Sequence, residues 1–334
     1  MKSKIRDLIK KVIASEMKRD ELVYVLGEEV AAYGGAYQCT AGLLEEFGAG
    51  RVVDTPISEM GFTGMAVGSA FQGLKPICEF MTFNFALQSI DHIINSAAKT
   101  LYMSGGRISC PIVFRGPNGF ALGVGAQHTQ DFSGLFCAVP GLKVVAPYTA
   151  RDHVGLLRSA IRDPNPVIVL ESELLYPCDM EHEESILEEN FMLPLNKAIV
   201  EHEGCDVTLV GISISVGLCF KARKLLADRG ISAEVINMVA INPLDIETVE
   251  ASVQKTKKLL IVDCAWPECG IASEISASIS SRLFKVLDRP VFTLCSKKIP
   301  TPYAEELEAA MYPTPSDIEC AVNMLLSTGE YKNK

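Results

Sequence analysis

Residues 75–116 read KPICEFMTFNFALQSIDHIINSAAKTLYMSGGRISCPIVFRG, and this stretch decides the fold class. Its two ends, KPICEF and CPIVFRG, are near-continuous apolar runs, which suit strands of a parallel sheet covered on both faces. Between them, Gln88–Met103 reads as a helix, and Ser104-Gly105-Gly106 supplies the left-handed cap that a helix end favours. A strand–helix–strand unit with a right-handed crossover is the default topology for this pattern, so the stretch predicts an α/β fold.

The same alternation continues on both sides of this unit. Further strands are predicted in the first half at ELVYVLG, RVVDTPI, LKVVAPY and PVIVLES, with a helix at Gly64–Gly73. The acidic segment EHEESILEEN, residues 181–190, has few core residues and reads as a linker. A second series follows, with strands at CDVTLVGIS, SAEVINMV, KLLIVDCA and PVFTLCS and helices at Val216–Arg229, Ile246–Lys255 and Ile271–Val286. The pattern predicts two domains, 1–187 and 195–334, each with a largely parallel sheet covered by helices.

Composition excludes several classes of protein. The 334 residues are 48% hydrophobic and 22% charged, which is enough for two buried cores, and no apolar run reaches transmembrane length. A net charge of −10 argues against nucleic acid or an anionic membrane as a partner. The N-terminal segment is basic, but Asp7 and Glu16 favour an ordinary amphipathic helix of the mature chain over a targeting peptide.

Cysteine spacing and nucleotide motifs exclude further functions. The eleven cysteines are scattered without any C-x-x-C, which favours small buried thiols in a reducing compartment over a zinc site or disulfides. Gly68–Gly73 has the spacing of a phosphate-binding loop, but Leu74 stands where the lysine is required. Gly123-Val124-Gly125 does not complete a dinucleotide-binding pattern.

Two acidic positions follow predicted strands directly. Glu28 and Glu29 come after ELVYVLG, and Glu59 comes after RVVDTPI, at the strand ends where open α/β sheets build their sites. A solvated loop position is the ordinary explanation of Glu28. For Glu59 it is the first turn of a helix, where Ser58 serves as N-cap and the helix dipole favours an acid. The local pattern therefore leaves both a structural and a catalytic role open.

Three other features need an explanation. The stretch 61–73 forms a helix almost without side chains, and its glycines predict close approach of another backbone within the domain or across a subunit contact. The segment EFMTFNF places Phe80, Phe83 and Phe85 together, which is typical of a core. His128 lies in the polar loop GAQHTQ, where a solvated histidine is the usual case.

Together, the strings LGEEV, DTPISEMGF, KPICEFMTFNFALQSIDHIINSAAKTLYMSGG, PIVFRGPNG, AQHTQ and PGLKVVAPYTARD closely resemble the pyruvate dehydrogenase beta-subunit family. The resemblance covers essentially the whole chain and is densest over 23–178. It implies a transketolase-like pyrimidine-binding domain followed by a transketolase C-terminal-like domain. It also implies that the chain, with an alpha subunit, decarboxylates pyruvate on thiamine diphosphate and reductively acetylates the lipoyl group of a dihydrolipoyl acyltransferase.

The resemblance assigns roles to individual residues. Glu59 is expected to hydrogen-bond the ring nitrogen of the cofactor's aminopyrimidine and to relay a proton, with Glu28 beside that ring. Phe85 is expected to pack on the ring, Ile57 to line the pocket, and His128 to face the substrate or the lipoyl arm. The positions that match a structural potassium site are Ile112, Ala160, Ile161, Asp163 and Asn165. Asp288 matches a position implicated in docking the acyltransferase.

The chain contains no Gly-Asp-Gly motif, so half of a thiamine diphosphate site is missing from it. The resemblance implies that the alpha subunit holds the magnesium ion and the diphosphate in an α2β2 tetramer. Departures from the family pattern lie in the second domain and bear on acyltransferase docking; they are Cys264, Ala265, Lys297 and Lys298.

The alternatives are a branched-chain 2-oxo acid or acetoin dehydrogenase beta subunit, or a non-catalytic scaffold subunit. The expected compartment is the cytoplasm of a prokaryote, or a mitochondrial matrix or plastid stroma for a processed organellar protein.

Overall fold

A computed structural model describes residues 1–327, which form two compact units. The first unit comprises 1–197 together with the short segments 239–244 and 300–303, and the second comprises 198–238, 245–299 and 304–327. The sequence interpretation of 181–190 as a linker is wrong, because the whole segment belongs to the first unit. The segments 239–244 and 300–303, which lie within the predicted second domain, also belong to the first unit.

Among the described residues, the first unit holds nine strands, seven α-helices, one π-helix and two short 3-10 helices at Leu87–Ser89 and Glu184–Leu187. Its strands are β1 (Lys2–Lys4), β2 (Val23–Gly27), β3 (Val52–Asp54), β4 (Lys75–Glu79), β5 (Val113–Pro117), β6 (Lys143–Val145), β7 (Val167–Glu171), β8 (Asp179–Glu181) and, from the segment 239–244, β12 (Ala240–Asn242). Its helices are α1 (Ile5–Arg19), α2 (Leu43–Phe47), α3 (Glu59–Phe71), α4 (Phe83–Ala86), a π-helix (His92–Ala97), α5 (Ala98–Met103), α6 (Ser133–Cys137) and α7 (Ala150–Arg162).

Seven strands form one sheet in the order β12-β6-β7-β5-β4-β2-β3. All neighbours are parallel except β12, which pairs with β6 in the antiparallel sense. The strands β5 and β7 are buried at every position, as expected for parallel strands covered by helices on both faces. The predicted α/β class with a largely parallel sheet is confirmed.

Helix α1 explains why the acidic segment is not a free linker. Its apolar face packs against α7, and the buried carboxylate of Glu16 accepts two hydrogen bonds from Arg162. Arg158 of α7 donates to the main-chain carbonyl groups of Glu188 and Phe191. Since buried charges are stable only when paired, these arginines fix the segment to the helix layer.

The second unit is built in the same way around a five-stranded sheet of order β14-β13-β10-β11-β9. Its strands are β9 (Ile199–His202), β10 (Val207–Gly211), β11 (Ala233–Asn237), β13 (Leu259–Val262) and β14 (Phe292–Leu294). Its helices are α8 (Ser215–Ala227), α9 (Ile246–Thr256), α10 (Ile271–Arg282), α11 (Glu305–Ala309) and α12 (Pro315–Leu326). Only β9 is antiparallel, to β11. Helices α8 and α12 bury their apolar faces on one side of this sheet.

Candidate active site

The carboxyl ends of neighbouring strands bring two glutamates together. Strands β2 and β3 are parallel neighbours with Gly27 opposite Asp54, so the chain leaves both strands at the same edge of the sheet. Glu28 follows β2 directly, and Glu59 is the first residue of α3, five positions after β3 ends. Both side chains are buried, with Glu59 only 3% exposed. A solvated loop position therefore does not describe Glu28.

The start of α3 differs from its predicted cap. Ser58 precedes the helix, but its hydroxyl donates to the carbonyl oxygen of Pro56 at 3.3 Å and accepts nothing from the helix. The first turn is stabilised instead by the acid itself, because a carboxylate near the helix N-terminus interacts favourably with the helix dipole. The helix thus begins at Glu59 without a side-chain cap, and the carboxyl group stays free of local backbone bonds.

Burial and the neighbouring Glu59 change the protonation of Glu28. Burial raises the pKa of Glu28 to about 7, and the negative charge of Glu59 and a hydrogen bond between the two side chains add to the effect. One oxygen of each group, Oε1 of Glu28 and Oε2 of Glu59, is buried and accepts no hydrogen bond from the described residues. Buried polar atoms are normally satisfied, so these two oxygens indicate a site prepared for a polar ligand.

The raised pKa of Glu28 predicts a specific pH dependence of stability. The folded carboxyl keeps its proton up to about pH 7, whereas the unfolded one loses it near its ordinary value of 4.5. The folded state therefore binds more protons in this window, and the free energy of unfolding falls as pH rises through it. Relative to the natural chain, Glu28→Gln should become more stable by on the order of 2 kcal/mol between pH 4.5 and 7, and the gain should level off above pH 7.

Urea unfolding of the full chain at several pH values measures this difference. Glu29→Gln is the matched control, because Glu29 is exposed and adjacent. A stability difference for Glu28→Gln that stays constant from pH 4.5 to 8 would contradict the assignment of a shared, buried proton.

An aromatic ring and a histidine contact each other in the segments that follow β4 and β5. Phe85 lies in α4, half-buried, and its ring meets the imidazole of His128 edge to face at a centroid distance of 5.2 Å. Phe80 and Phe83 are fully buried and pack against each other, so they belong to the core. Of the three phenylalanines of this segment, only Phe85 is partly exposed and available to a site. His128 is exposed in its loop.

Asn84 fixes the loop that carries His128, and the sequence did not single it out. Its side-chain oxygen Oδ1 accepts from the backbone amide of Gln130 at 3.1 Å, while its Nδ2 donates to Thr82 at 2.7 Å. Asp54, which also went unnoticed, binds the turn after Glu28 through two backbone amides. An amide between two phenylalanines and an acid ending a strand are signals too common to be read without the tertiary contacts.

The residues at this edge fit the aminopyrimidine ring of thiamine diphosphate. A half-buried aromatic face and two buried carboxyl oxygens without partners are what a flat, nitrogen-bearing ring requires. Ile57 is 81% exposed at the same edge, on the segment between β3 and α3. The diphosphate half has no counterpart in the sequence, which lacks the Gly-Asp-Gly motif.

A buried ion network lies at the ends of the next strands. Arg115 of β5 forms ion pairs with Glu79 of β4 and with Glu171 of β7, and all three side chains are buried. Tyr176 adds a hydrogen bond from its hydroxyl to Glu171 at 2.6 Å. One arginine thus pairs with two carboxylates. Of these groups Glu79 is on the strand next to β2, and burial raises its pKa although the charge of Arg115 opposes the change.

The positions that match a potassium site surround the turn from α7 to β7. The carboxylate of Asp163 is ion-paired with Lys143 and accepts the amide of Asn165 at 2.9 Å, so it is not free to hold a second cation. The carbonyl oxygen of Ala160 accepts from Asp163, and that of Ile112 accepts from Val167. Each carbonyl oxygen keeps a second lone pair. A cation here would therefore rest on main-chain carbonyl groups, without the free carboxylate that the sequence led us to expect.

In the second unit, the two segments that depart from the family pattern, 264–265 and 297–298, lie side by side. Ser296 donates to the carbonyl oxygen of Ala265 through its backbone amide and its hydroxyl, and Lys298 forms a 2.9 Å ion pair with Glu268. Cys264 is buried, while the backbone amide of Lys297 donates to Met311. The unusual residues therefore form one structural element.

Asp288 lies on the surface of this unit. Its carboxylate forms a 3.1 Å ion pair with Lys258, and the nearby Phe284 is 80% exposed.

The small-residue helix gives only part of the predicted close approach. A Cβ atom at Gly64 would lie 2.9 Å from the imidazole of His92, so a side chain rather than a backbone fills that space. At Gly68 nothing lies within 4 Å of such an atom.

Among residues 1–327, no helix is long and apolar enough to cross a membrane, and no cluster of three metal-binding His, Cys, Asp or Glu side chains occurs.

The cysteines occupy buried, half-buried and exposed positions. All eleven are free thiols, and five are buried; these are Cys39, Cys78, Cys110, Cys219 and Cys264. Cys205 lies in the loop before β10 and is exposed, so small buried thiols do not describe every cysteine.

Comparison with known proteins identifies the class. The transketolase pyrimidine-binding domain family matches residues 1–179, and the transketolase C-terminal domain family matches residues 196–318. A solved structure described as a split gene transketolase, inactive beta4 tetramer, superimposes with a TM-score of 0.77 over 96% of this chain and 97% of that one, at 21% identity. The fold and the glutamate edge thus define a two-domain protein of the transketolase type.

Curated relatives narrow the class further. The chain is 54% identical over 314 residues to pyruvate dehydrogenase E1 component subunit beta-1, mitochondrial, of Arabidopsis thaliana, covering 94% of this chain and 86% of that protein. It is 49% identical over 324 residues to the human mitochondrial subunit beta, covering 97% and 90%. The chain belongs to the family of pyruvate dehydrogenase E1 beta subunits.

Proposed function

We propose that this chain is the beta subunit of a two-subunit pyruvate dehydrogenase. With an alpha subunit, it decarboxylates pyruvate on thiamine diphosphate and transfers the acetyl group to the lipoyl group of a dihydrolipoyl acyltransferase. The observation that carries the proposal is the buried pair Glu28 and Glu59, in which one oxygen of each carboxyl group has no partner among the described residues. Family membership supplies the substrate, since the relatives are named for pyruvate.

Glu59 is the proposed proton relay. Its Oε2 atom is the buried acceptor that would hold a proton shared with the ring nitrogen of the aminopyrimidine. Glu28 lies beside it and keeps its own proton up to near neutral pH, since its pKa is about 7. A carboxyl group that gives and takes a proton near its working pH is an effective general acid and base.

Aromatic and apolar groups complete the proposed pocket. Phe85 would pack on the ring, Ile57 would line its open side, and His128 would face the 2-oxo acid or the lipoyl arm. The contact between Phe85 and His128 supports this, because it places an exposed imidazole beside the ring that would stack on the cofactor. When bound, thiamine diphosphate supplies the electron sink for the loss of carbon dioxide.

The alpha subunit is proposed to supply the magnesium ion and the diphosphate grip in an α2β2 tetramer. The support is the missing Gly-Asp-Gly motif. The exposed glycine edge of α3, where Gly68 has no neighbour within 4 Å among the described residues, is our proposed close-packed subunit contact.

Reconstitution tests the proposal and its substrate together. The isolated chain should show no decarboxylation, and addition of an alpha subunit that carries the Gly-Asp-Gly…Asn motif should produce turnover of pyruvate at a rate at least about tenfold above that of branched-chain 2-oxo acids. The control is the alpha subunit alone. Preference for branched-chain substrates would overturn the choice of pyruvate, and robust turnover by the isolated chain would overturn the shared site.

Two smaller assignments accompany this function. A potassium ion is proposed at the carbonyl groups of the α7–β7 turn. The test is the melting temperature of the chain, which should be higher in a potassium buffer than in a tetramethylammonium buffer.

The surface around Asp288 and Phe284 is proposed to dock the acyltransferase component, because it pairs an exposed aromatic with a charge. Loss of co-purification on Phe284→Ala measures that contact.

The proposed compartment is the mitochondrial matrix, on the ground that the relatives are named mitochondrial proteins. Eleven free thiols agree with a reducing compartment. Fractionation of the source cells tests this assignment, with a prokaryotic cytoplasm or a plastid stroma as the contrary results.

A further inference from the structure

The chain turns sharply just after Glu28, at the end of β2. The amide of Thr55 donates to the carbonyl oxygen of Gly27 at 3.0 Å, which extends the β2–β3 pairing up to Glu28. Glu29 then adopts a positive φ of 59°, and the chain folds back. It returns to β3 at Asp54, whose Oδ1 accepts from Ala31 at 2.6 Å and whose Oδ2 accepts from Ala32 at 3.2 Å.

Glu28 is therefore held on both sides by the strand that leads to Glu59. At the end of β2, the backbones of β2 and β4 approach closely, because a Cβ atom added at Gly27 would lie 2.5 Å from the carbonyl oxygen of Glu79. Beyond the turn, Thr40 donates its hydroxyl to the carbonyl oxygen of Val30 at 2.7 Å. The turn 28–32 is closed by Asp54 alone on its β3 side among the contacts of the described residues.

We propose that Asp54 is a positioning residue that fixes the spacing of the Glu28 and Glu59 carboxyl groups by binding the turn 28–32 to β3. Its catalytic consequence rests on the function proposed above, whereas the spacing itself does not. Charged hydrogen-bond acceptors bind amides more strongly than neutral ones. The Asp54 carboxylate, which accepts from two amides, therefore holds the turn 28–32 against β3. Neither Ala31 nor Ala32 has a side chain that could replace it.

The segments around the ends of the neighbouring strands carry three other titratable groups. From β4, Glu79 is ion-paired with Arg115; from the loop after β5, His128 contacts Phe85; and Glu29 is exposed in the turn itself. The causes that raise the pKa of Glu28 are burial and Glu59, so the spacing of these two side chains governs its titration.

Asp54→Ala should release the turn and let the carboxyl groups separate. The shared proton would then be held less tightly, and the titration midpoint of Glu28 should fall by at least about half a pH unit. In the reconstituted tetramer, the alkaline limb of the kcat profile should move to lower pH by the same amount. We expect kcat to fall about tenfold with KM for pyruvate within about twofold, because misplacement acts on the chemical step. Asp54→Asn keeps one acceptor and should give intermediate values.

The decisive measurement is 13C NMR titration of the full chain labelled at the glutamate carboxyl carbons, with Glu28 assigned from the missing signal in Glu28→Gln. Asp206→Ala is the matched control, because Asp206 also accepts a loop amide, that of Ser232 at 2.7 Å, in the second unit. A midpoint that falls in Asp54→Ala and not in the control supports the inference.

An unmoved Glu28 midpoint in folded Asp54→Ala overturns the inference, whatever the activity. If that variant does not fold, Asp54→Asn decides by the same criterion. The titration needs no turnover, so an inactive natural tetramer would overturn the proposed function and leave this result standing.

Discussion

Glu59→Gln in the reconstituted tetramer is expected to lower the rate of pyruvate decarboxylation by at least about 100-fold. The amide is nearly the same size as the carboxyl group, so the pocket stays filled, but it neither gives nor takes a proton near neutral pH. The natural side chain is 3% exposed and keeps one oxygen without a partner among the described residues, so water has little access to replace it. The measurement is carbon dioxide release with saturating thiamine diphosphate.

Two controls separate the relay from simple loss of charge. Glu29→Gln removes an exposed carboxylate one residue from Glu28 and should change the rate by less than about twofold. Binding of thiamine diphosphate to the Glu59→Gln tetramer, followed by calorimetry, should weaken far less than turnover does. Undiminished activity of Glu59→Gln would contradict the relay and favour a scaffold role for this chain.

The second large effect is expected in stability. Arg115→Met should reduce the free energy of unfolding of the full chain by about 3–5 kcal/mol at pH 8, because it leaves Glu79 and Glu171 buried without a counter-charge. Methionine preserves most of the buried volume of the arginine stem, so the loss is electrostatic rather than a cavity effect. Urea unfolding measures it.

The loss should shrink at lower pH. Without Arg115, which lowers the pKa of Glu79 against the effect of burial, this carboxyl group takes up a proton more readily as pH falls. A neutral buried acid costs less than a buried anion. Arg115→Met with Glu171→Gln should likewise recover part of the stability at pH 8.

A surface ion pair provides the matched comparison. Arg282→Met breaks a 3.2 Å contact with Glu250 in the second unit, where the arginine is exposed, and should cost less than about 1 kcal/mol. If Arg115→Met lowers the free energy of unfolding by no more than Arg282→Met does, the buried ion network does not stabilise the fold more than a surface ion pair.

The long apolar strands and the periodic helices were predictable from the sequence. Strand β4 and helix α9 begin at the predicted residues, Lys75 and Ile246, because local pattern and tertiary burial agree there. The short strands β1, β8, β9 and β12 were missed. Strand β1 (Lys2–Lys4) pairs with β8 (Asp179–Glu181), which is distant from it in the sequence. Neither segment has the apolar alternation that marks a strand.

The site was predictable only in part. Glu28 and Glu59 stood out as acids after strands, and resemblance to relatives supplied their roles. Asp54 and Asn84 did not stand out, because their importance lies in backbone amides that are distant in sequence, those of Ala31 and Gln130. Ser58, which looked like a helix cap, bonds Pro56 instead.

The sequence by itself determined the two α/β units, the absence of a Gly-Asp-Gly motif and the identity of the acids at the strand ends. Those properties follow from local composition and spacing, which act over a few residues. Only the tertiary structure decided that Glu28 and Glu59 face each other, since they are 31 positions apart and meet because β2 and β3 are parallel neighbours. The raised pKa of Glu28 arises from burial and from the charge of Glu59 at short range, and both depend on distances that no local pattern contains.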